Sequence, residues 1–578
     1  MRFMPGRHRR IGAAMVAASV ATLLAGVGAA HGSAPPADAG KDPVMGGTLI
    51  VAGDAEVTNP WTPGAMQCDS YCQQRARTFY DPLVAVGNDQ QPHPFLAESV
   101  TPNADFTEWT ITMRSGITFH DGTPLNADAV IKNLQLSAAG FLLRALMVDI
   151  AKVPAPTDAD PNATALKIDR LDDLTLKIYT GKGGDPAKPT PWPGFPYYLS
   201  TQLGLIASPK FLDDVAAGGD ATKAVGTGPF ILESYAPRGA TVVTKNPNYW
   251  LKDANGNQLP YLDKIEFRVI EDSEVSATAL ESGDIQAFST SASAVYADFR
   301  DRADEYPMES QDQRTETNYG LINLERLGPL LDKRVRCALN LAIDRDEYVD
   351  ALDAGVTTKA NGLFSPGEQG YLADNGFSMD QDVAEAKRLI DEYEAETGTQ
   401  VAVKWGTTNS QLNAQRAELM IGWWKEIGVD ATWEQIPQDA LITTALLGRY
   451  DILGWRQHAG NLVDQQAIWW NSNAAFPLEQ LSLNFARLRD PVIDENLATA
   501  RGTNDPAVAT AAAEAINKQM AAQCYNLPLT YTTWGTPHVT ALHGFNSTPL
   551  PDGAGTAADG AGFPGSFWTQ ALWLDPEA

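Results

Sequence analysis

The order of secondary-structure signals between residues 79 and 134 constrains the fold of this chain more than any other feature. Apolar and polar side chains alternate in a predicted strand whose apolar members are Trp109, Ile111 and Met113. Glycine-containing turns follow at residues 115–116 and 121–122, around a short extended piece, Ile117–His120. Asn126 then precedes an apolar stripe at helical spacing, where its side chain can cap a helix. The sequence therefore predicts a strand, a turn, an extended piece, a second turn and a helix in immediate succession.

A second run of signals, from Val383 onward, alternates helices with strands. The predicted elements are a helix Ala384–Tyr393, a strand Val401–Trp405, a helix Leu412–Ile427 and a strand Val429–Ile436. Because such alternation is typical of βαβ units, we expect a largely parallel sheet here. Ligands of such sheets bind beyond the strand ends, which indicates the loop 406–410, with Asn409, and the loop after residues 450–454.

Length and charge limit the class of protein. A chain of 578 residues with 44% hydrophobic residues is too long for one hydrophobic core and should contain two or three. Its net charge of −28 argues against a nucleic acid or an anionic membrane surface as the binding partner. We therefore expect a multi-domain globular protein with an acidic, solvated surface.

The first thirty residues have the pattern of an export signal. A basic head containing four arginines precedes an apolar run, Ile11–Leu24, and small residues at 28–30 suit cleavage. Residues 31–45 are predicted to be a linker, and no later apolar run reaches the roughly 18 residues of a membrane span. No cysteine precedes Cys68, so a lipid-modified cysteine is not expected. The exported protein would be periplasmic, or held at the cell surface by an uncleaved apolar run.

Four cysteines in an exported chain indicate disulfides, although the sequence leaves the pairing open. Cys68 and Cys72 are four residues apart, so a local bridge is feasible if the segment is helical. Cys337 lies in an apolar helical pattern, and we expect it to be a small buried hydrophobic residue, with the partner of Cys524 open. No histidine lies close enough to the cysteines to indicate a metal site.

Known catalytic patterns are not found in the sequence. It has no Gly-x-Ser-x-Gly, no His-Glu-x-x-His and no recognisable Cys-His arrangement. We therefore expect a protein without catalytic residues, cofactor or metal. A secreted hydrolase that uses a carboxylate pair, and an adhesion or scaffold protein, are the alternatives from other classes.

Several stretches match the sequence motifs of one protein family, and they occur in the same order along the chain. They are FYDPLV at 79–84, PFLAESV at 94–100, TEWTITMRSGITFHDGTPLNADAVIKNL at 107–134, GTGPF at 226–230, ALESGDI at 279–285 and DKRVRCALNLAIDR at 332–345. These stretches resemble the family 5 extracellular solute-binding proteins, the capture subunits of ABC importers for oligopeptides, dipeptides and related solutes.

The resemblance implies an α/β, two-lobed periplasmic-binding-protein-like fold of the cluster C type, with an inserted third subdomain and a hinge between the lobes. The expected segments are lobe I at 46–79, the inserted subdomain at 80–198, lobe I again at 199–315, lobe II at 316–527 and a return to lobe I at 528–578. It also implies a monomer that closes around a peptide or small molecule and delivers it unaltered to an ABC permease in the membrane.

The segment after Gly454 departs from the peptide-binding pattern. In peptide-binding members a Gly-Trp pair ends a strand, the tryptophan lines the cavity, and a nearby aspartate pairs with the ammonium group of the peptide. Here Trp455 is followed by Arg456, Gln457 and His458, and the first carboxylate is Asp464. A buried ammonium without a counter-charge is costly, so either Asp464 is recruited or the ligand has no buried amine. Arg456 and His458 suit a carboxylate, a phosphate or a multiply hydroxylated ligand.

The remaining candidate ligand contacts are aromatic. Trp405 and Trp455 lie at predicted strand ends, and by resemblance Trp61 lies in a loop that approaches the ligand and Tyr531 faces the cleft. Flat aromatic rings bind sugar rings and peptide side chains alike. The expected ligand is therefore an oligopeptide or dipeptide, with an oligosaccharide or another polar solute as the alternative.

Overall fold

The computed structural model describes residues 42–54, 61–326, 328–437, 440–457 and 460–577. The predicted signal peptide, the linker up to residue 41, and His458 lie outside the described residues. Among the described residues, no helix combines the length and the apolar character that crossing a bilayer requires.

Strands and helices both occur throughout the described chain. The strands are β1 Thr48–Gly53, β2 Val84–Val86, β3 Pro92–Pro94, β4 Ala97–Pro102, β5 Glu108–Met113, β6 Lys152–Pro154, β7 Thr164–Leu166, β8 Ile168–Arg170, β9 Thr175–Tyr179, β10 Phe230–Tyr235, β11 Ala240–Lys245, β12 Lys264–Val269, β13 Ala287–Phe288, β14 Met308–Gln311, β15 Thr317–Ile322, β16 Thr358–Lys359, β17 Ala402–Thr408, β18 Asp430–Ile436, β19 Ile452–Gln457, β20 Asn526–Tyr531, β21 Trp534–Pro537, β22 Leu542–His543 and β23 Trp573–Leu574. The helices are α1 Ser70–Phe79, α2 Ala127–Ala139, α3 Phe141–Leu146, α4 Phe195–Tyr198, α5 Pro209–Ala216, α6 Ser273–Glu281, α7 Ser293–Asp301, α8 Lys333–Leu341, α9 Arg345–Leu352, α10 Val383–Thr397, α11 Gln411–Glu426, α12 Leu441–Leu447, α13 Ala467–Trp470, α14 Pro491–Gly502 and α15 Pro506–Ala522.

Three larger sheets organise these elements. The first sheet has the order β10-β11-β12-β1-β13, the second β4-β5-β9-β8 and the third β16-β20-β15-β19-β17-β18. The first sheet and its hydrophobic cluster form the first lobe, the second sheet forms the inserted subdomain, and the third sheet forms the second lobe. The division into several cores follows from the chain length, as predicted.

The stretch 79–134 folds largely as its pattern predicts. In β5 the side chains of Trp109, Ile111 and Met113 are buried, and the polar residues between them are only partly buried. The Asn126 side chain accepts a hydrogen bond from the Ala129 amide at 2.9 Å and so caps α2. The extended piece at 117–120 forms one isolated bridge rather than a strand.

The third sheet is mixed, so the prediction of a largely parallel sheet is wrong. β17 runs parallel to β18 and β19, but β15 is antiparallel to both β19 and β20, and β16 is antiparallel to β20. The parallel part is the predicted helix–strand region after Val383. The antiparallel strands β15 and β20 are the ones that enter this lobe and leave it, and they come from distant parts of the sequence that local periodicity does not relate.

Two crossings between the lobes lie side by side. β20 remains in the third sheet as far as Tyr531, so the expected boundary between residues 527 and 528 falls inside a strand. β14 and β21 then pair with each other just outside the sheet, and the Thr532 amide donates to the Glu316 carbonyl at 2.8 Å. The chain segments 312–316 and 532–533 are therefore adjacent, which is the arrangement of a two-stranded hinge.

All four cysteines form disulfides. Cys68 is bonded to Cys72, with Cα atoms 5.0 Å apart, at the start of α1. Cys337 is bonded to Cys524, with Cα atoms 5.3 Å apart, which joins α8 to the segment after α15. The expectation that Cys337 is a simple buried hydrophobic residue is therefore wrong, because a partner 187 residues away reaches it.

Candidate functional site

A cavity of about 210 Å³ lies on one face of the third sheet. Residues of both lobes and of the inserted subdomain line it: Gln67, Cys68 and Asp69 come from the first lobe and Leu142 from α3. The rest of the wall belongs to the second lobe and comes from β15, β19, β20, α12, α13, α15, the segment 483–488 and the single residues Leu324, Leu363 and Tyr525. A space bordered by all three parts is where a two-lobed binding protein encloses its ligand.

The predicted contact Trp455 lies in this wall because of its position on β19. It pairs with Tyr319 on β15, and both residues line the cavity. The Trp455 indole meets the Phe485 ring edge to face at 5.3 Å, and the Trp469 ring is tilted against the same Phe485 ring at 5.3 Å. Three aromatic rings thus form one continuous apolar wall.

Trp405, by contrast, lies in the hydrophobic core. Only 1% of it is exposed, and its ring packs edge to face on Trp424 at 5.8 Å. It pairs with Ile452 on β19, three residues before Trp455, and residues an odd number apart point to opposite faces of a sheet. Trp405 therefore does not line the cavity, which corrects the prediction that both tryptophans contact ligand.

Gly454 is needed between these two faces. A Cβ atom at this position would lie 2.8 Å from Thr407 Cγ2 and 3.1 Å from Trp405 Cζ2. The Gly454-Trp455 pair therefore combines two functions: the glycine makes room for the core indole, and the next residue presents its ring to the cavity.

Asp69 is the carboxylate that lines the cavity. It is the N-cap of α1, and its Oδ1 accepts a hydrogen bond from the Cys72 amide at 2.8 Å. The Cys68–Cys72 disulfide closes the same turn, so the position of Asp69 is fixed by a covalent bond and by a helix cap. The sequence-based prediction missed Asp69, which follows shortly after the loop with Trp61 that was expected to approach the ligand; the available signal is an aspartate at a helix start.

Arg456 lines the cavity close to the hinge. Its guanidinium donates to Asn318 Oδ1 at 3.2 Å and, across the lobes, to Ser291 Oγ at 2.8 Å. Nη1 also lies 3.5 Å from Glu316 Oε2, and Glu316 accepts a further bond from Trp534 Nε1 at 3.2 Å. Arg456 is thus held between the two lobes beside the crossing segments.

The charge balance near Arg456 is negative. Asp54 follows β1, and burial together with repulsion from Asp69 raises the pKa of its carboxyl to about 6, an effect that Arg456 partly offsets. Glu316 adds a smaller repulsion. The Asp54 carboxyl therefore feels two other carboxylates, Asp69 and Glu316, and one guanidinium, Arg456, and an excess of carboxylates favours a positively charged group of a ligand.

Asp464 is buried away from the cavity and does not line it. It is 2% exposed and is not among the residues that line the cavity. Its Oδ2 accepts a hydrogen bond from Trp192 Nε1 at 2.9 Å, and its backbone carbonyl accepts one from the Tyr198 hydroxyl at 3.0 Å. Burial raises the pKa of this carboxyl, while the Arg501 cation and the hydrogen-bond donors lower it. Asp464 binds the inserted subdomain instead of a ligand amine, which corrects the prediction that it is a ligand contact.

Arg501 is the centre of this second cluster. Its Nη1 lies 2.5 Å from Asp149 Oδ2 in the inserted subdomain, and its Nε lies 3.6 Å from Asp464 Oδ2 in its own lobe. Its guanidinium carbon stands 4.7 Å from the centre of the Trp192 ring. We call Asp149, Trp192, Tyr198, Asp464 and Arg501 the seam cluster, because it joins the inserted subdomain to the second lobe.

Three further predicted contacts lie away from the cavity wall. Trp61 is fully buried in the first lobe, with its ring 5.2 Å from both Phe79 and Tyr235. Asn409 is exposed in the loop after β17. Tyr531 is buried and donates its hydroxyl hydrogen to Asn361 Oδ1 at 2.8 Å. None of the three is among the residues that line the cavity, so their predicted role as ligand contacts is not supported by this geometry.

Metal binding is not indicated in the part of the chain that the structure describes. No group of three or more histidine, cysteine, aspartate or glutamate side chains is placed there to hold a metal ion. The wall of the cavity instead combines aromatic and aliphatic side chains with a few polar ones. Such a wall suits an organic solute that carries at least one charged group.

Comparison with known proteins identifies the family. Residues 91–476 match the sequence model described as "Bacterial extracellular solute-binding proteins, family 5 Middle". The glutathione-binding protein GsiB of Escherichia coli (strain K12) is 26% identical over 507 residues, which cover 82% of this chain and 88% of that protein.

Solved structures share the fold. DppA from Helicobacter pylori, in complex with the peptide STSA, aligns with a TM-score of 0.73 at 20% identity, over 92% of this chain and 98% of that one. AgaA from A. tumefaciens R10, in complex with agropinic acid, aligns with a TM-score of 0.75 at 20% identity, over 92% and 99%.

The family match covers most of the chain, and its relatives are binding proteins rather than enzymes, which confirms the predicted class. Homologues of this family are periplasmic or extracellular and act as the substrate-binding components of ABC importers. This chain belongs to the family 5 bacterial extracellular solute-binding proteins.

Proposed function

We propose that this substrate-binding component captures a short peptide with a free amino terminus and delivers it to the membrane permease. The observation that carries this proposal is the position of Asp69 in the wall of a cavity that is otherwise mostly aromatic and aliphatic. In this arrangement Asp69 is the counter-charge that the segment after Trp455 does not supply. Asp54 and Glu316 add negative potential nearby, and Arg456 is available to attract the peptide carboxylate.

The composition of the wall favours a peptide over an oligosaccharide. Each hydroxyl of a buried sugar requires a hydrogen-bond partner, because a polar group that loses water without one is costly. The polar side chains in the wall are few, and a peptide needs fewer of them for its own polar atoms. The lining residues with a charged or amide side chain are Gln67, Asp69, Arg456, Gln457 and Asn526, and Tyr319 and Tyr525 add two hydroxyl groups.

We propose that binding proceeds by closure of the lobes about the hinge at 312–316 and 532–533. The ligand stabilises the closed arrangement only to the extent that it binds this form better than the open one. The seam cluster adds contacts that do not involve the ligand, because Arg501 pairs with Asp149 across the seam. Closure would then depend on both the ligand and the seam.

The test is calorimetry on protein that has been unfolded and refolded to remove any bound solute. We expect alanyl dipeptides to bind and the same peptides with an acetylated amino terminus to bind at least tenfold more weakly. Tight binding of the acetylated peptides, or binding of oligosaccharides with no binding of any peptide, would contradict the proposal.

A second candidate is a polar solute that is not a peptide. Arg456 favours it, because a guanidinium that donates to Ser291 and Asn318 is positioned to bind a carboxylate as well. AgaA, which shares the fold, is in complex with agropinic acid. A thermal-shift comparison of amino-free peptides with anionic solutes that lack an amine would separate the two candidates.

We further propose that residues 1–30 direct export and that the mature protein acts as a monomer. The basic head and the apolar run of the sequence support the first point. Amino-terminal sequencing of the exported protein and light scattering of the purified one would test both points. Export of a variant that lacks residues 1–30, or a stable dimer, would contradict them, whereas a terminus at residue 1 on the exported protein would indicate that the apolar run is kept as an anchor.

A further inference from the structure

We propose that the cavity selects ligands by a single bulky hydrocarbon group, an aromatic or branched aliphatic side chain, which enters the core of the second lobe between α12 and α15. This inference rests on the proposed peptide ligand and adds the chemical class of its side chain. It predicts a narrow preference rather than general capture of peptides.

The geometry shows where the group would go. The cavity extends along β15 from Tyr319 to Leu321, which is about 7 Å at the usual rise per residue of a strand. Beyond Leu321 its wall continues with residues that belong to the core cluster on this face of the sheet. They are Leu446, Leu483, Leu488 and Met520, each less than 9% exposed.

The inner end offers a ligand little hydrogen bonding. The Tyr525 hydroxyl donates to Asp490 Oδ2 at 2.8 Å, and the Asn526 carbonyl accepts from Asn340 Nδ2 at 2.8 Å. The Asn526 side-chain amide, whose Nδ2 lies 4.0 Å from Met520 Sδ, is then the polar group that a ligand could still meet at this end among the described residues. A hydroxyl or amide that entered here would lose its hydration without full replacement, whereas a hydrocarbon group would gain by leaving water.

The size of the cavity also argues for an occupant. Protein cores are closely packed, and an apolar cavity destabilises a fold in proportion to its volume. A space of about 210 Å³, lined by leucine and aromatic side chains and reaching the ammonium-binding rim at Asp69, is better explained by a ligand group than by loose packing.

The first test compares two ligands of nearly equal size. Calorimetry on refolded, ligand-free protein should give at least tenfold tighter binding for Ala-Leu than for Ala-Asn. Across Ala-Gly, Ala-Ala, Ala-Val and Ala-Leu the affinity should rise about fourfold per added carbon, the ratio that about 0.8 kcal/mol per buried methylene gives. Equal affinities for Ala-Leu and Ala-Asn would overturn the inference of a hydrocarbon subsite. They would not contradict the proposed capture of peptides.

The second test fills the inner end. Leu446→Phe should weaken the binding of Ala-Phe at least tenfold more than the binding of Ala-Gly. Leu483→Phe replaces it if the first variant folds poorly by circular dichroism. An equal loss of affinity for both dipeptides would overturn the inference.

3-Phenylpropanamide, which has no ammonium group, separates the proposed peptide function from the proposed hydrocarbon subsite. Its binding in the absence of dipeptide binding would overturn the peptide function and support the hydrocarbon subsite, and binding of neither class would overturn both.

Discussion

The cavity and the seam cluster both join the second lobe to the rest of the molecule, but with opposite chemistry. The cavity wall is mostly aromatic and aliphatic, and its charged lining residues, Asp69 and Arg456, lie at its hinge side. The seam cluster has a buried arginine, Arg501, between two carboxylates of the protein itself. The cavity thus encloses a space of about 210 Å³ that a ligand can fill, whereas the charged groups of the seam are packed directly against each other.

Because of this difference in chemistry, we expect the cavity to determine which ligand binds and the seam cluster to determine how readily the lobes close. Substitutions in the cavity should alter which ligand binds, since they change contacts with the solute. Substitutions in the seam should alter the affinity for every ligand by the same factor, since they change only the equilibrium between open and closed forms.

The largest effect is expected from Arg501→Met. This change leaves the buried Asp464 and the partly buried Asp149 without a counter-charge, at a cost of up to about 3–5 kcal/mol for a broken buried ion pair. If the seam forms on closure, affinities for all ligands should fall by a common factor of roughly a hundred to a few thousand, measured by calorimetry.

Arg388→Ala is the matched control for that variant. Arg388 pairs with Glu385 and Glu392 on the exposed face of α10, where ion pairs contribute little. It should leave affinity unchanged. A ligand affinity that also stays unchanged in Arg501→Met would mean that the seam does not open when the ligand enters.

The two predicted tryptophans provide the next contrast. Trp405→Ala should lower the free energy of unfolding by about 3–5 kcal/mol because it leaves a large cavity in the core. Trp455→Ala should change stability less and weaken ligands with an apolar side chain tenfold or more, because its ring forms part of the wall. Chemical denaturation measures the stability of both variants, and calorimetry measures their ligand affinity. A large loss of stability in Trp455→Ala together with a large loss of affinity in Trp405→Ala would contradict the assignment of Trp405 to the core face and Trp455 to the cavity face of the sheet.

These two residues also illustrate what could be predicted from the sequence. The elements around residue 405 and the elements of residues 79–134 follow from local periodicity, and the structure has them close to the predicted bounds. Which face a strand residue occupies depends on its register with a neighbour, and the pairing of Trp405 with Ile452 is not visible in local sequence.

Long-range contacts explain the other errors. Asp464 follows Gly454-Trp455 closely in sequence, but Trp192 and Tyr198, more than 260 residues away, bind it. The bond between Cys337 and Cys524 is similarly distant. Asp69 could not be identified from local sequence, because its place in the cavity wall depends on the assembly of the two lobes.

Asp69→Asn should affect charge without affecting the fold. Asparagine caps a helix about as well as aspartate, so α1 should persist and the melting temperature should change little. Loss of a charge-assisted hydrogen bond, about 1.5–3 kcal/mol, should weaken amino-free peptides roughly ten- to hundredfold. Acetylated peptides serve as the ligand control, and an equal loss for both kinds of peptide would show that Asp69 does not pair with the ammonium group.

The smallest expected effect is the change of ligand affinity with pH. The Asp54 carboxyl, whose pKa is raised to about 6, is charged at pH 7.5 and largely neutral at pH 5. Lowering the pH through 6 therefore removes negative potential from the rim, and affinity for peptide ammonium groups should fall severalfold. Asp54→Asn should remove most of this dependence, measured by calorimetry between pH 5 and 7.5. An unchanged pH profile in the variant would assign the titration to another group.

Small-angle X-ray scattering of ligand-free protein during titration with Ala-Leu tests the central claim most directly. Capture of a peptide between hinged lobes predicts that the radius of gyration falls as the ligand is added and reaches a plateau at one ligand per chain. A radius of gyration that stays constant while calorimetry shows saturation would contradict closure around the ligand.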